Sequence, residues 1–174
     1  MEIVLIRHTK PDIEKGICYG QSDIDLADSF QQEINTIKEK ISDYKKYKIY
    51  SSPLKRCKKL ASSLFSTTIH FDDRLKELDF GNWELKAWDN ISSNEMKPWM
   101  NDFVNKRVPN GESYVDLQKR TLAFIHEKIK SQEDIVVVTH AGVIRALKAY
   151  FDKIKLKDSF KIRVDYGDIF TITV

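Results

Sequence analysis

Ile3-Val4-Leu5-Ile6-Arg7-His8 is the stretch that decides the fold class. Four apolar residues in succession read as a fully buried strand. The arginine and histidine then fall at that strand's carboxyl end, where open α/β sheets place their ligand sites. Far along the chain, Ile135-Val136-Val137-Val138 repeats the pattern and runs into Thr139-His140-Ala141-Gly142. Two buried strands, each delivering a histidine, imply one site fed from distant parts of the chain.

Outward from these two runs, strands and helices alternate. The first strand covers residues 2–7. The spacing of Phe30, Ile34, Ile37 and Ile41 predicts a helix over 29–46. Lys48-Ile49-Tyr50 is a short strand. Ser51-Ser52-Pro53 opens the next helix, with Ser52 as N-cap and Pro53 at the first helical position. Leu54, Cys57, Leu60, Ala61, Leu64 and Phe65 form its inward face. Ile69-His70-Phe71 is a third strand. Ser113 caps a helix running to Lys130, with Leu117, Leu122, Ile125 and Ile129 inward. The strand at 135–139 and a helix from Val143 to Phe151 follow. Phe160–Val164 and Ile169–Val174 read as paired strands around a turn at Tyr166-Gly167-Asp168. This alternation predicts a three-layer α/β/α fold with a mostly parallel central sheet, its last strand pair antiparallel at an edge. No repeat or linker divides it, so one domain over residues 1–174 is expected. The tryptophan-rich stretch 72–112 has weak periodicity and reads as loops with one or two short helices. It is too long for a mere connection, which suggests a lid or a binding wall.

With 174 residues, 41% hydrophobic and 32% charged, the composition suits a globular domain with a real core. A net charge of +3 gives no case for nucleic acid and is compatible with an anionic small molecule. Cys18 and Cys57 lack metal-ligand spacing and read as reduced packing residues. No apolar stretch is long enough to span a bilayer. Met1-Glu2 leads directly into the first strand, so the expected location is the cytoplasm. Oligomeric state is not legible.

Arg7, His8, Arg56 and His140 can converge on an anion. Arg56 falls in the first turn of a helix, where the positive helix end adds to its charge. His140 sits between a strand and a helix, again beside free amides. Guanidinium groups offer forked donors that match phosphate oxygens. Cationic neighbours hold an imidazole neutral, and a neutral imidazole can attack phosphorus. Ester hydrolysis also needs a group that protonates the leaving alcohol and later deprotonates water. On chemistry alone Glu77, Asp79 and Glu84 all qualify. His70 and His126 read as ordinary histidines, and Trp83, Trp88 and Trp99 as core or lid packing.

These segments resemble the histidine phosphatase superfamily, the phosphoglycerate mutase-like proteins. Ile6-Arg7-His8-Thr9 is similar to its Arg-His-Gly signature. Ser51-Ser52-Pro53-Leu54-Lys55-Arg56 resembles its Ser-Ser-Pro-Leu-x-Arg segment. Residues 77–84, Glu-Leu-Asp-Phe-Gly-Asn-Trp-Glu, are similar to its Glu-x-x-x-Gly-x-Trp-Glu segment. Asn110-Gly111-Glu112-Ser113 and Thr139-His140-Ala141-Gly142-Val143-Ile144-Arg145 complete the series, in the family's order and across nearly the whole chain. The resemblance implies that His8 is the nucleophile that becomes phosphohistidine. It implies that Arg7, Arg56 and His140 hold the phosphoryl oxygens and that Glu77 is proton donor, then base. Asp79 and Glu84 become turn or supporting residues. Neither a metal nor an organic cofactor is implied. The expected partner is a phosphorylated small molecule, with no nucleic acid and no membrane.

Within the superfamily, Arg7-His8-Thr9-Lys10-Pro11 and Gly16-Ile17-Cys18-Tyr19-Gly20-Gln21-Ser22-Asp23 look most like α-ribazole phosphatases, enzymes of late cobalamin biosynthesis. That resemblance implies α-ribazole 5′-phosphate as substrate, with Thr9, Tyr19, Gly20, Gln21 and Ala141 on the pocket. The chain departs from the common pattern at Thr9, at Lys10 and at Leu85, where glycine often follows Trp-Glu. Other readings are a broad-specificity sugar or phosphoprotein phosphatase, a mutase, and a non-catalytic phospholigand-binding module. A mutase would need a second phosphate pocket. Beyond Lys106 and Arg107, residues 72–112 offer no basic cluster for one, and a binding module would be expected to lack His8 or Glu77.

Overall fold

A computed structural model describes residues 1–174 except 42, 43 and 45. Its sheet is built from β1 (Glu2–Arg7), β2 (Lys48–Ser51), β3 (Ile69–Phe71), β4 (Ile135–Thr139) and β5 (Ile169–Thr173), in the order β3-β2-β4-β1-β5. β1, β4, β2 and β3 run parallel, and β5 closes the edge antiparallel to β1. The helices are α1 (Phe30–Lys40), α2 (Lys55–Leu64), α3 (Ser93–Asn101), α4 (Tyr114–Ile129) and α5 (Ala141–Phe151). This is the expected mixed α/β arrangement.

Side chains of a strand alternate between its faces, which assigns each helix to a layer. Ile3, Leu5, Ile135 and Val137 pack with Leu117, Phe124 and Ile125 of α4 and Val143, Ile144 and Leu147 of α5. Val4, Ile6, Ile49, Val136 and Val138 pack with Ile34 and Ile37 of α1 and Cys57, Leu60 and Ala61 of α2. Each fully buried aliphatic chain contributes roughly 1.5–3 kcal/mol. β1 and β4 are therefore fixed in register by packing on both faces, with Arg7 opposite Thr139. The ladder runs on past the strand ends: the His8 amide donates to the Thr139 carbonyl at 3.0 Å, and the Ser52 amide to the Val138 carbonyl at 3.0 Å. Three adjacent strand ends thus hold the residues that follow them.

Several local expectations need correction. Phe160–Val164 is not a strand: Phe160 and Lys161 end a 3-10 helix, Leu156–Lys161. The next carbonyls are taken by side chains, Ile162 by Arg145 Nε at 3.0 Å and Val164 by Arg7 Nη1 at 2.7 Å. β5 pairs with β1 instead. α1 stops at Lys40 with Ile41 extended, and the expected helix over 42, 43 and 45 falls outside the described residues. α2 begins at Lys55 with Leu54 as N-cap. Ser52 accepts the Leu54 amide at 3.3 Å but precedes the helix, because its own amide is still extending the sheet. α5 starts two residues earlier than expected, at Ala141. The Ser113 cap forms as expected and is a full capping box with Asp116.

The 72–112 stretch contains α3 and 3-10 turns at Asp73–Leu75, Gly81–Trp83 and Trp88–Asn90. Cys18, Trp83, Ile91 and Val108 form a separate small core beneath it, flanked by Phe80, Trp88, Met96 and Trp99. Trp83 is fully buried and its indole N–H donates to Glu95 at 2.9 Å.

Candidate active site

The site begins at the carboxyl ends of β1, β4 and β2, which deliver His8, His140 and Ser52 side by side. The His8 and His140 ring centroids lie 5.1 Å apart. Both rings are buried. His8 Nδ1 lies 2.7 Å from the Thr9 carbonyl oxygen. A carbonyl only accepts, so Nδ1 carries the proton and donates, and Nε2 keeps its lone pair. Burial, then Arg56, then Arg7, hold the His8 pKa well below the usual imidazole value, outweighing the Thr9 carbonyl. Burial, followed by Arg56 and His8, does the same to His140. His140 Nε2 meets Ser52 Oγ at 2.8 Å.

Two guanidinium groups flank His8. Arg56, fully buried in the first turn of α2, donates to the Ser22 carbonyl at 2.9 Å and to the Gly20 carbonyl at 2.5 Å. Arg7 donates to Val164 and lies under the Tyr166 ring, 3.9 Å from its centroid. Tyr166 also meets the Tyr19 hydroxyl at 3.0 Å. The Nε atoms of Arg7 and Arg56 and the Thr9 hydroxyl are buried without a partner among the described residues. Buried donors of this kind are costly, and the oxygens of an anion are the chemistry that suits them.

Glu77 approaches from the 72–112 stretch. Its carboxylate accepts the Leu78 amide at 2.9 Å and the Gly142 amide, at the start of α5, at 3.0 Å. The backbone that carries it is pinned twice. Thr139 donates to the Leu75 carbonyl at 2.8 Å. Arg120 of α4 donates to the carbonyls of Arg74, Lys76 and Glu77 at 2.7, 2.6 and 2.8 Å and is paired with Glu112. Sequence reading did not single out Arg120, since one arginine on an amphipathic helix carries no distinguishing signal. Of the other two carboxylates, Asp79 accepts the Gly81 amide in a turn at 2.8 Å. Glu84 accepts from the amides of Gly20, Gln21, Ser22 and Phe80 and from the Ser22 hydroxyl. Both are supporting residues.

A cavity of about 450 Å³ opens from this cluster. Arg7, His8, Tyr19, Glu77 and Ala141 line it. Arg56 and His140 are not on its lining; the His140 ring packs on His8, and the Arg56 charge acts on both rings. Thr9, Gly20 and Gln21 are not on its lining. Gly20 is pressed against the Leu78 carbonyl, where a Cβ would stand 1.8 Å away, and Gln21 donates to the Glu77 carbonyl at 3.1 Å. These two residues brace the walls. Sequence reading missed most of the far wall: Phe80, Phe103, Tyr114 and Phe160 join Trp88 and Trp99 on it, with Arg145. The aromatic density of 72–112 was the available signal. Cys18 is buried, and burial with the Glu84 carboxylate nearby pushes its thiol up to about 12, which marks it as packing.

A sequence profile of the histidine phosphatase superfamily (branch 1) matches residues 3–174. A glucosyl-3-phosphoglycerate phosphatase of Mycolicibacterium vanbaalenii is 29% identical over 163 residues, spanning 84% of this chain and 72% of the relative. The α-ribazole phosphatase of Shigella flexneri superposes with a TM-score of 0.90 at 24% identity, over all of this chain and 91% of that one. A mycobacterial glucosyl-3-phosphoglycerate phosphatase superposes with a TM-score of 0.86 at 21% identity, covering 98% and 88%. At such identities the structural likenesses establish the fold.

Proposed function

Since the chain belongs to the histidine phosphatase superfamily and is a phosphatase, we propose that it hydrolyses small phosphomonoesters through a phosphohistidine on His8. The observation that carries this is the His8 tautomer: Nδ1–H is committed to the Thr9 carbonyl at 2.7 Å, and burial with two guanidinium groups keeps the ring neutral. Nε2 attacks phosphorus as the bond to the leaving oxygen breaks, and the Glu77 carboxyl gives that oxygen its proton. Glu77, now a carboxylate, takes a proton from water as the water oxygen attacks phosphorus. The P–N bond then breaks, returning neutral His8 and inorganic phosphate. Arg7, Arg56 and His140 hold the phosphoryl oxygens through both steps, so charge is matched without reorganisation.

For the substrate we propose α-ribazole 5′-phosphate. The segments around Arg7 and Tyr19 resemble α-ribazole phosphatases, and the aromatic far wall suits a flat ring on the leaving alcohol. The test is a panel of phosphomonoesters containing α-ribazole 5′-phosphate, sugar phosphates and phosphoserine. Its kcat/KM should stand at least about tenfold above the rest. A flat profile would return the broad-specificity reading.

A further inference from the structure

Arg7 and Arg145 are the two guanidinium groups on the cavity lining among the described residues. Arg7 belongs to the His8 end. Arg145 sits on α5 three residues beyond Gly142, on the same helix face and one turn, about 5 Å, further along the axis. Gly142 is the residue whose amide holds Glu77. Arg145 lies over Phe160, which packs on Phe103 and Tyr114, so it belongs to the aromatic far wall of the cavity.

The arginine is held in a way that leaves its end available. Its Nε donates to the Ile162 carbonyl at 3.0 Å, and its guanidinium lies over Phe160, 5.5 Å from the ring centroid. Among the described residues no carboxylate lies within ion-pair reach of it, whereas Arg120 on α4, also partly buried, is paired with Glu112. Burial pulls the Arg145 pKa down. A half-buried cation tethered by one nitrogen, in reach of the Glu77 and Asp165 charges but paired with neither, and with an aromatic platform beneath it, is placed to donate to something in the cavity.

We propose that Arg145 reads a hydrogen-bond acceptor on the leaving group, at the end remote from phosphorus. The preferred substrate is then a ring-bearing phosphomonoester that also carries a carboxylate or an unprotonated ring nitrogen. The inference rests on the phosphatase reading for the direction in which substrate lies, with phosphorus at His8. It holds for α-ribazole 5′-phosphate, whose base has a free ring nitrogen, and equally for a phosphorylated aromatic acid.

The experiment compares kcat/KM for phenyl phosphate, 4-carboxyphenyl phosphate and α-ribazole 5′-phosphate in the wild type, Arg145→Leu and Arg145→Lys. Each ratio to phenyl phosphate is taken within one preparation, so an unfolded fraction cancels. The change between proteins also cancels intrinsic reactivity. The ratio for at least one acceptor-bearing ester should fall about 10- to 100-fold in Arg145→Leu, and Arg145→Lys should keep part of a carboxylate preference. A fall for the carboxylate alone identifies an anion, and a fall for α-ribazole 5′-phosphate alone identifies the ring nitrogen. Ratios that agree between wild type and Arg145→Leu to within about twofold for both esters overturn the proposal. Failure of the phosphohistidine reading is separately visible, as absence of a covalent phosphoryl group on His8 when Glu77→Gln is mixed with 4-nitrophenyl phosphate.

Discussion

The Gly142 amide donates to Glu77 at 3.0 Å, and a Cβ on Gly142 would stand 2.2 Å from the same carboxylate. The Glu77 carboxylate, the proposed proton donor, occupies space that only glycine leaves open. Gly142→Ala must push Glu77 aside, and a displacement of about 1 Å costs roughly 10²-fold in rate. Folding should not suffer, because residue 142 is helical with ordinary φ and alanine favours a helix over glycine by about 1 kcal/mol. The expected enzyme melts no lower than wild type but loses kcat. The loss should be larger for phenyl phosphate, which needs a protonated leaving group, than for 4-nitrophenyl phosphate. Unchanged kcat on phenyl phosphate would remove Glu77 from the role.

His8 and His140 are both held neutral, with pKa values well below the usual 6.5. The unfolded chain protonates them near 6.5, so it binds more protons than the folded one below that pH. Stability is thus unaffected by these two groups above pH 6.5. It falls with acidification, by up to about 1.4 kcal/mol per pH unit for each histidine, until the folded values are reached. Urea midpoints at pH 7.0 and 5.5 should show the drop, and His8→Asn should remove about half of it. The acid limb of kcat/KM should also lie below 6.5, because neutral His8 survives there. A limb above 6.5 would contradict the low pKa.

Leu85 has φ of 64° and is 60% exposed, so it pays for a left-handed backbone with little burial. Its amide is held there by the Cys18 carbonyl at 2.8 Å. Relief of the left-handed strain, less the entropy glycine adds to the unfolded chain, leaves about 0.5–1 kcal/mol in favour of Leu85→Gly. A rise of about 2 °C in Tm is expected, and a fall would mean the leucine makes a contact worth more than its strain.

Glu84 ties the loop 20–22 to Phe80, and that loop supplies both carbonyls that anchor Arg56. Burial raises the Glu84 pKa, but its hydrogen bonds pull it lower still, to a net value below the usual 4.5. Its contribution to stability is therefore complete above that pH and is lost as pH falls through the folded value. Glu84→Gln turns one acceptor oxygen into a donor facing donors, at a cost of about 2–3 kcal/mol. Chemical denaturation should record that loss, and KM should rise because Arg56 is loosened. A KM left unchanged would separate the loop from phosphate binding.

What could be read in the sequence was whatever packing dictates locally. The apolar runs at 3–6 and 135–138 are buried on both faces, so their ends, and hence Arg7, His8 and His140, could be located directly. Ser113 was legible because a cap is a local contact. Phe160–Val164 misled because its β-like composition is real while its carbonyls go to Arg7 and Arg145, contacts made across the chain. The aromatic density of 72–112 pointed to a wall, but which aromatics line it was not legible, for a related reason. Phe80, Trp88, Phe103 and Phe160 come from turns and loops and Trp99 from α3, without a common period, and Phe80, Trp88 and Trp99 pack on the small core around Trp83.

The most direct measurement traps the covalent intermediate. Glu77→Gln is mixed with radiolabelled 4-nitrophenyl phosphate, whose leaving group needs no proton, and is quenched in alkali, where phosphohistidine survives. Without the base for water, the second step slows and the label should accumulate on His8 Nε2, then vanish in the double variant with His8→Ala. A protein that turns over substrate yet carries no label, or carries it on another residue, would contradict the account.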